Sequence, residues 1–318
     1  MRNFSIVFFG GLLVVIIGLS IVSIVKSNKT SSNSNNGVGV VIATTTEKYN
    51  ALEEEGEIGV IPQSGTTTIT AKAYLVKDLT TDSVVVEKDS DRTLPIASLT
   101  KLITAVLVRH LIDPNTRITI GAKVMQIYGN TAGFTEGETF TASDLMYPLL
   151  MVSSNDSAEA LASVYGRIKF IKAMNDFAQS IGAYRTYIAD PAGLSPDNVS
   201  SPSDIVRIIN WIYSNDPTIL EITKLKTKTI RDHVWTNPTY FLNWSSYLGG
   251  KNGYLPEANR TGVGLFSIGV SSASVNSTTS LSVATSSKLS SRGDIYAVVV
   301  LGSSLRDQDV TTLLGKIK

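Results

Sequence analysis

The stretch TLPIASLTKLITA, residues 93–105, decides the fold class of the globular part of this chain. After Pro95 the sequence is apolar on nearly every helical face as far as Ile112, which is typical of a helix buried in a core. Ser98 and Lys101 stand three positions apart at its start, so their side chains share one face. A serine hydroxyl becomes nucleophilic when a base takes its proton, and a lysine with a lowered pKa can be that base. The stretch therefore predicts a buried helix that begins with a candidate nucleophile and its base.

The expected elements around this helix follow the order strands, helices, strands, helix. Thr141 to Asp144 and Ser201 to Asp204 have the composition of helix starts. The expected strands are 69–76, 83–87, 229–235, 262–270 and 295–301, and the expected further helices include 156–166, 168–181 and 307–318. This order predicts an α+β fold in which the two ends of the chain meet in one sheet and helices pack around it.

Two short motifs later in the chain complete a three-part pattern. Ser153-x-Asn155 opens another expected helix in LLMVSSNDSAEALA, residues 149–162. Lys251-Asn252-Gly253 lies at the start of an expected strand in GGKNGYLPEAN, residues 249–259. The S-x-x-K and S-x-N patterns also recur elsewhere in the chain, so the order and the structural context of the three motifs carry the signal.

In this order the motifs resemble those of the penicillin-recognising serine enzymes. The local sequences resemble more closely the D-alanyl-D-alanine carboxypeptidase family (peptidase S11), and they include IADPAGLSPDNVSSPSDI, residues 188–205, and AVVVLG, residues 297–302. The resemblance implies a β-lactamase/transpeptidase-like α+β fold, with an antiparallel sheet, packed helices and a helical subdomain. It also implies a cofactor-free serine carboxypeptidase that removes the terminal D-alanine from peptidoglycan stem peptides and is inhibited by β-lactam antibiotics.

The resemblance assigns catalytic roles to four residues of this chain. Ser98 would be the acylated nucleophile and Lys101 the general base. Ser153 would relay a proton to the leaving amine, and Asn155 would orient Lys101 and the substrate amide.

The substrate-binding residues implied by the resemblance are Lys251, Asn252, Gly253 and Tyr254. Lys251 would attract the substrate carboxylate and keep the catalytic lysine deprotonated, and the backbone N–H groups of Ser98 and Tyr254 would form the oxyanion hole. Asn252 departs from the family motif, which normally reads Lys-Thr-Gly. An asparagine amide can donate a hydrogen bond, but it is larger than threonine and its donor is placed differently.

A second departure concerns an arginine that the family often carries just before the strand reading AVVVLG in this chain. Asp294-Ile295-Tyr296 stands there, and Arg292 is the nearest cation. Carboxylate recognition is therefore expected to differ most from the family. The stretch Asp190 to Leu194 resembles a family loop, and the sequence is compatible either with a simple turn or with a direct contact to the site.

Three alternatives to a carboxypeptidase follow from the same residues. A DD-endopeptidase that cuts cross-links would use the same site, since the difference lies in the shape of the groove. A non-catalytic module that binds wall peptide or a partner is an alternative because of Asn252. A β-lactamase is disfavoured, because no glutamate between the second and third motifs is well placed to activate a deacylating water.

The N-terminal region predicts a membrane anchor. Phe4 to Val25 is uncharged and would span roughly 33 Å as a helix, enough for the bilayer core. We expect residues 1–26 to form one transmembrane helix, residues 27–68 a flexible linker, and residues 69–318 an extracytoplasmic DD-peptidase-like domain. A cleaved signal peptide is the alternative, although the apolar run is long and no A-x-A pattern follows closely.

The composition argues against several kinds of function. The formal net charge of +1 gives no basic footprint for nucleic acid, and the absence of cysteine excludes disulfides and thiolate chemistry. The two histidines, His110 and His233, lie in no recognisable metal-ligand spacing, so we expect both to be structural and expect no metal site.

Overall fold

A computed structural model describes residues 68–269 and 293–317. The strands are β1 (Ala73–Asp78), β2 (Val84–Lys88), β3 (Leu94–Pro95), β4 (Arg117–Thr119), β5 (Thr139–Thr141), β6 (Val199–Ser200), β7 (Thr227–Ile230), β8 (His233–Thr236), β9 (Tyr247–Leu255), β10 (Asn259–Ile268) and β11 (Asp294–Ser303). The α-helices are α1 (Thr100–Leu111), α2 (Ala122–Met125), α3 (Ala142–Met151), α4 (Asn155–Tyr165), α5 (Arg167–Ser180), α6 (Pro202–Asn215), α7 (Thr218–Thr223) and α8 (Arg306–Leu314), and 3-10 turns form at Ala97–Leu99 and Tyr240–Asn243.

The central sheet joins the two ends of the described chain, as the sequence predicted. Its five antiparallel strands lie in the order β2-β1-β11-β10-β9, with Ala73 of β1 opposite Leu301 of β11. Successive residues of β11 point to opposite faces. Val299 packs into the large core on one face, whereas Val298 and Val300 pack into a smaller core that contains Val310 of α8. Both faces are therefore buried, and β9 forms one edge of the sheet.

Helix α1 lies inside the larger core. Its residues 100–108 are all buried, including the polar side chains of Thr100, Lys101 and Thr104. Helix α3 begins at the predicted position, where Thr141 and Asp144 form a reciprocal capping box. The side chain of Ser201 likewise accepts a hydrogen bond from the Asp204 N–H at the start of α6.

Two details differ from the sequence-based expectation. The single strand expected over 229–235 is a hairpin of β7 and β8, because Arg231 adopts a positive φ of 53° and turns the chain. The third motif lies in the middle of β9 rather than at the start of a strand. Alternation of side chains along this glycine-rich strand is weak in the sequence, which obscured its extent.

Both histidines contact aromatic rings, His110 near the end of α1 and His233 at the start of β8. His110 packs edge-on against Trp211, and His233 stacks on Trp235 with its Nε2 atom 2.9 Å from Glu138 Oε1. Within 68–269 and 293–317, no group of three or more acidic or histidine side chains could hold a metal ion.

Three sequence-based expectations fall outside the described residues. They are the transmembrane helix at 1–26, most of the linker at 27–68, and the Ser/Thr/Asn-rich stretch 271–291, whose composition predicts an elongated hairpin or a loose loop. None of the helices in the described ranges combines the length and apolar character needed to cross a bilayer.

Candidate active site

Ser98 lies in the 3-10 turn that leads into α1, and hydrogen bonds fix this turn on both sides. The Ile96 N–H donates to the Asn198 carbonyl at 2.9 Å, and the Thr261 hydroxyl donates to the Ile96 carbonyl at 3.0 Å. Ala97 adopts a φ of 50°, which is uncommon for a residue with a Cβ atom. Such conformations persist where the surroundings enforce them, often at functional sites. The backbone that carries the Ser98 hydroxyl is therefore held in one unusual conformation.

Lys101 extends from the first turn of α1 into a closed polar cluster. Its side chain is fully buried. The Nζ atom lies 3.0 Å from Ser98 Oγ, 2.7 Å from Asn155 Oδ1 and 2.5 Å from the Ala192 carbonyl oxygen. The amine is thus within hydrogen-bond reach of the candidate nucleophile, as a general base must be.

Burial lowers the pKa of Lys101 to about 7, because the charged ammonium loses its hydration. The carboxylates of Asp190, Asp156 and Glu159 act in the opposite direction and raise this pKa. In the part of the chain that the structure describes, no carboxylate lies within salt-bridge distance of Lys101. A substantial fraction of the amine is consequently neutral near pH 7.

Asn155 begins α4, and its amide is oriented by the loop before β5. The Nδ2 group donates to the Tyr128 carbonyl at 2.9 Å, and the backbone N–H donates to the Asn130 carbonyl at 2.7 Å. A Cβ atom on Gly129 would lie 2.8 Å from Asn155 Nδ2, so this glycine allows the close approach of the loop. Since Nδ2 is committed to the loop, Oδ1 faces Lys101.

Ser153 and Lys251 form a second hydrogen-bonded pair beside the first. Lys251 Nζ donates to Ser153 Oγ at 2.9 Å and to the Asn252 carbonyl at 2.9 Å. Burial lowers the pKa of Lys251 well below its usual value, and the nearby positive charges of Lys101 and Arg306 lower it further. Two buried cations so close together disfavour simultaneous protonation.

The edge strand β9 lies directly against the Ser98 turn. A Cβ atom on Gly253 would lie 2.8 Å from the Ser98 backbone nitrogen and 3.1 Å from Ala97 Cβ, so only glycine permits this contact. Tyr254 follows at once, with a side chain that is largely exposed. The two residues whose N–H groups were predicted to form the oxyanion hole therefore lie on neighbouring segments.

Arg306, the first residue of α8, brings a further cation to β9. A Cβ atom on Gly262 would lie 2.8 Å from Arg306 Cδ and 3.5 Å from Asn252 Oδ1, so both side chains meet over this glycine. Gly262 is the cross-strand partner of Asn252. The guanidinium donates to Asp307 at 2.8 and 3.1 Å, and the arginine side chain is only 16% exposed. The Arg306 side chain thus lies beside Asn252, and its guanidinium is paired with Asp307.

A family model described as D-alanyl-D-alanine carboxypeptidase, peptidase S11, matches residues 61–277. The chain belongs to this family. It is 32% identical over 199 residues to a D-alanyl-D-alanine endopeptidase of Haemophilus influenzae, covering 56% of this chain and 68% of the relative. It is 29% identical over 203 residues to a D-alanyl-D-alanine carboxypeptidase of Mycobacterium tuberculosis, covering 61% of this chain and 69% of the relative. A D-alanyl-D-alanine endopeptidase of Escherichia coli is 32% identical, and the alignment covers 55% of this chain and 56% of that relative.

Solved structures share the fold of this S11 chain. The D-alanyl-D-alanine carboxypeptidase of Mycobacterium tuberculosis superposes with a TM-score of 0.67 at 24% identity, covering 80% of this chain and 94% of that one. Penicillin-binding protein D2 of Listeria monocytogenes, in its cefotaxime-bound form, gives a TM-score of 0.66 at 23% identity and covers 80% and 99%. The penicillin-binding, transpeptidase-like α+β fold expected from the motifs is confirmed.

Of the predicted S11 motif residues, Ser98, Lys101 and Asn155 are joined by hydrogen bonds. Ser153 pairs with Lys251, and Gly253 packs against the Ser98 turn with Asn252 and Tyr254 on either side of it. Sequence reasoning left the loop contact of Ala192 open and did not consider Arg306. The predicted cation Arg292 lies outside the described residues, whereas Arg306 follows β11 instead of preceding it. A search for cations after the last strand, as well as before it, could have found Arg306.

Proposed function

We propose that this S11 protein is a serine-type D-Ala-D-Ala carboxypeptidase that trims peptidoglycan stem peptides through an acyl-enzyme on Ser98. The observation that carries the proposal is the 3.0 Å approach of a fully buried lysine amine, Lys101 Nζ, to Ser98 Oγ. Burial gives this amine a pKa of about 7, in the range that suits a general base at neutral pH.

In the proposed reaction, Ser98 Oγ attacks the carbonyl carbon of the penultimate D-alanine while Lys101 accepts the hydroxyl proton. The tetrahedral oxyanion accepts hydrogen bonds from the Ser98 and Tyr254 N–H groups. The Ser153 hydroxyl, itself hydrogen-bonded to Lys251, passes a proton to the departing amine of the terminal D-alanine, and Ser153 regains a proton from the Lys101 ammonium, which received it from Ser98. Water then attacks the acyl ester, the Ser98 oxygen regains a proton, and the shortened peptide leaves.

The terminal carboxylate of the substrate is proposed to bind between Lys251 and Arg306, beside Asn252. Lys251 lies next to Asn252 on β9, Arg306 reaches Asn252 from α8, and Asn252 can add an amide donor. A second positive group offsets part of what the missing threonine hydroxyl would have contributed. This arrangement favours a working enzyme over the non-catalytic alternative that Asn252 suggested.

Replacing Arg306 by leucine is expected to lower kcat/KM for a peptide ending in free D-Ala-D-Ala by about ten- to a hundredfold, the cost of one charge-assisted hydrogen bond. The same peptide with a C-terminal amide should be affected little, because it lacks the carboxylate. Arg260→Leu is the matched control, since Arg260 is half-buried on β10 and donates to the Ser304 carbonyl. Equal losses on the acid and the amide peptide would contradict carboxylate binding.

Replacing Asn252 by threonine is expected to raise turnover of a D-Ala-D-Ala peptide by at least about tenfold, because threonine places a short hydroxyl donor close to the strand backbone. Acylation by penicillin should change less, since its reactive ring supplies much of the driving force. Steady-state hydrolysis and stopped-flow acylation measure the two effects. If the wild type and the Asn252→Thr variant are both inactive on peptide and unreactive with penicillin, the non-catalytic alternative gains support.

The choice between carboxypeptidase and endopeptidase requires a direct assay, since relatives with both names match this chain. Incubation with a pentapeptide muropeptide and with a cross-linked muropeptide dimer separates them by mass spectrometry. Release of free D-alanine from the pentapeptide supports the proposal, whereas conversion of dimer to monomers without such release supports the endopeptidase.

We further propose that residues 1–26 anchor the protein in the cell membrane with the catalytic domain extracytoplasmic. The support is the uncharged stretch of the sequence from Phe4 to Val25. The full-length protein is expected to stay with membranes after a high-salt wash, because salt does not weaken the burial of apolar residues in lipid. A soluble mature form that begins after Val25 would indicate a cleaved signal peptide instead.

A further inference from the structure

The loop between α5 and β6 is folded around a single buried carboxylate. Asp190 Oδ1 accepts hydrogen bonds from the N–H groups of Ala192, Gly193 and Leu194 at 2.7 to 3.1 Å. Its Oδ2 accepts from the Ser195 N–H at 2.6 Å and from Asn198 Nδ2 at 2.7 Å. Asp190 is only 6% exposed, so these five donors replace its hydration. The carboxylate thereby determines the path of the loop.

This loop contacts both members of the Ser98–Lys101 pair. The Ala192 carbonyl lies 2.5 Å from Lys101 Nζ. A Cβ atom on Gly193 would lie only 2.1 Å from the Ala97 carbonyl oxygen, so the loop backbone packs against the turn that carries Ser98. The position of this loop is therefore coupled to the positions of the nucleophile and of its base.

The hydrogen-bond partners of Lys101 explain why the loop carbonyl matters. A neutral amine has two N–H donors and one lone pair. Asn155 Oδ1 and the Ala192 carbonyl oxygen can only accept hydrogen bonds, so they occupy both donors. The remaining position around Nζ faces Ser98 Oγ, so the lone pair is directed at the hydroxyl proton. If the Ala192 carbonyl moved, an N–H of the amine could turn toward Ser98, and the lone pair would no longer accept its proton.

We propose that Asp190 is a positioning residue for acylation, which aims the Lys101 lone pair at Ser98 by fixing the Ala192 carbonyl. This inference rests on the proposed acyl-enzyme function. Asp190 also acts on Lys101 through its charge. Asp190 on the loop and Asp156 and Glu159 on α4 favour the ammonium form, whereas the lysine of β9, Lys251, lies nearby as a like charge.

The test is the rate of acylation by fluorescent penicillin between pH 5 and about 9, per titrated active site. Asp190→Asn keeps one acceptor oxygen but turns an NH2 group toward the loop donors. Its rate on the alkaline plateau should fall by about ten- to a hundredfold, the cost of a displaced catalytic group. The acid limb of the profile, where the rate falls as the pH is lowered, should lie at a lower pH than in the wild type. Removal of the negative charge favours neutral Lys101.

The matched control is Asp204→Asn. Asp204 is also buried and accepts a hydrogen bond from the Arg185 N–H, but it forms no hydrogen bond with Lys101. Its variant should lose thermal stability and keep the wild-type plateau and acid limb. Three results for Asp190→Asn would overturn the proposal. They are a lower plateau rate with the acid limb at the wild-type pH, an acid limb at a higher pH, and a profile identical to that of the wild type.

Should Asp190→Asn fail to fold, Asn198→Ala provides the second variant. This variant keeps the charge of Asp190 but removes the hydrogen bond that Asn198 Nδ2 donates to Asp190 Oδ2. It also removes the acceptor Oδ1, to which the Ala189 and Asp190 N–H groups donate. Its plateau rate should fall at least about threefold per active site, and an unchanged plateau would overturn the proposal. Wild-type protein that does not react with penicillin would instead count against the proposed function itself.

Discussion

Replacement of Ser98 by alanine is expected to abolish the covalent penicillin adduct and to lower peptide turnover by about 10³-fold or more, because the proposed acyl-enzyme forms on the Ser98 hydroxyl. The mechanism requires an ester bond on Ser98 Oγ, and the Ser98 turn holds this oxygen beside Lys101 Nζ. Mass spectrometry of the digested protein after penicillin treatment measures the site of the adduct. The wild-type adduct should lie on the peptide that contains Ser98.

Ser153→Ala is the control for this experiment. Ser153 Oγ is also close to a buried lysine, since Lys251 Nζ lies 2.9 Å away. The proposed proton relay requires that this variant still forms an adduct on Ser98, at a reduced rate. An adduct on Ser153 in the Ser98→Ala variant would reverse the assigned roles.

Replacement of Lys101 by arginine is expected to slow acylation by about 10²- to 10⁴-fold, the usual contribution of a general base. A guanidinium remains protonated, so it cannot accept the Ser98 proton. Among the described residues, no carboxylate lies within salt-bridge distance of Lys101. A permanent charge at this buried position would therefore have no ion-pair partner. The exposed Lys169→Arg on α5 is the control and should leave the rate unchanged.

The pH dependence of the wild type provides an independent check on Lys101. Burial lowers its pKa to about 7, and only the neutral amine accepts a proton. The acylation rate should therefore rise with pH through about 7 and level off above it. A rate that keeps rising up to pH 10 would mean that Lys101 retains the ordinary pKa of lysine, about 10.4.

Some elements of the fold could be predicted from local sequence alone. The apolar run of α1, the capping box at Thr141 and the cap at Ser201 each depend on neighbouring residues. Helices α3 and α6 begin where they were expected, whereas Ser98 lies in a 3-10 turn just before α1. The valine-rich strand β11 is buried on both faces, which is why its sequence is a continuous apolar run. The β7–β8 hairpin was missed because its turn depends on the positive φ of Arg231 rather than on glycine or proline.

The candidate site was predictable only to the extent that side-chain identity defines it. Ser98 and Lys101 stand three positions apart, which predicted that their side chains share one face. Because the same spacing recurs elsewhere in the chain, the order and context of the three motifs were also needed. Asn155 and Lys251 were located through the family motifs, although 54 positions separate Asn155 from Lys101. The Ala192 carbonyl could not be identified in this way, since every residue has a carbonyl and only the path of the loop decides which one reaches Lys101.

The sequence by itself determined the fold class, the order of strands and helices, and the side chains that could carry the chemistry. The tertiary structure alone decided that β9 is the edge strand against Ser98, that Arg306 stands beside Asn252, and that Lys101 is fully buried with a pKa of about 7. The physical reason is that burial, electrostatic coupling and backbone hydrogen bonds depend on segments distant in the chain. Residue types and local spacing do not specify how those segments approach one another.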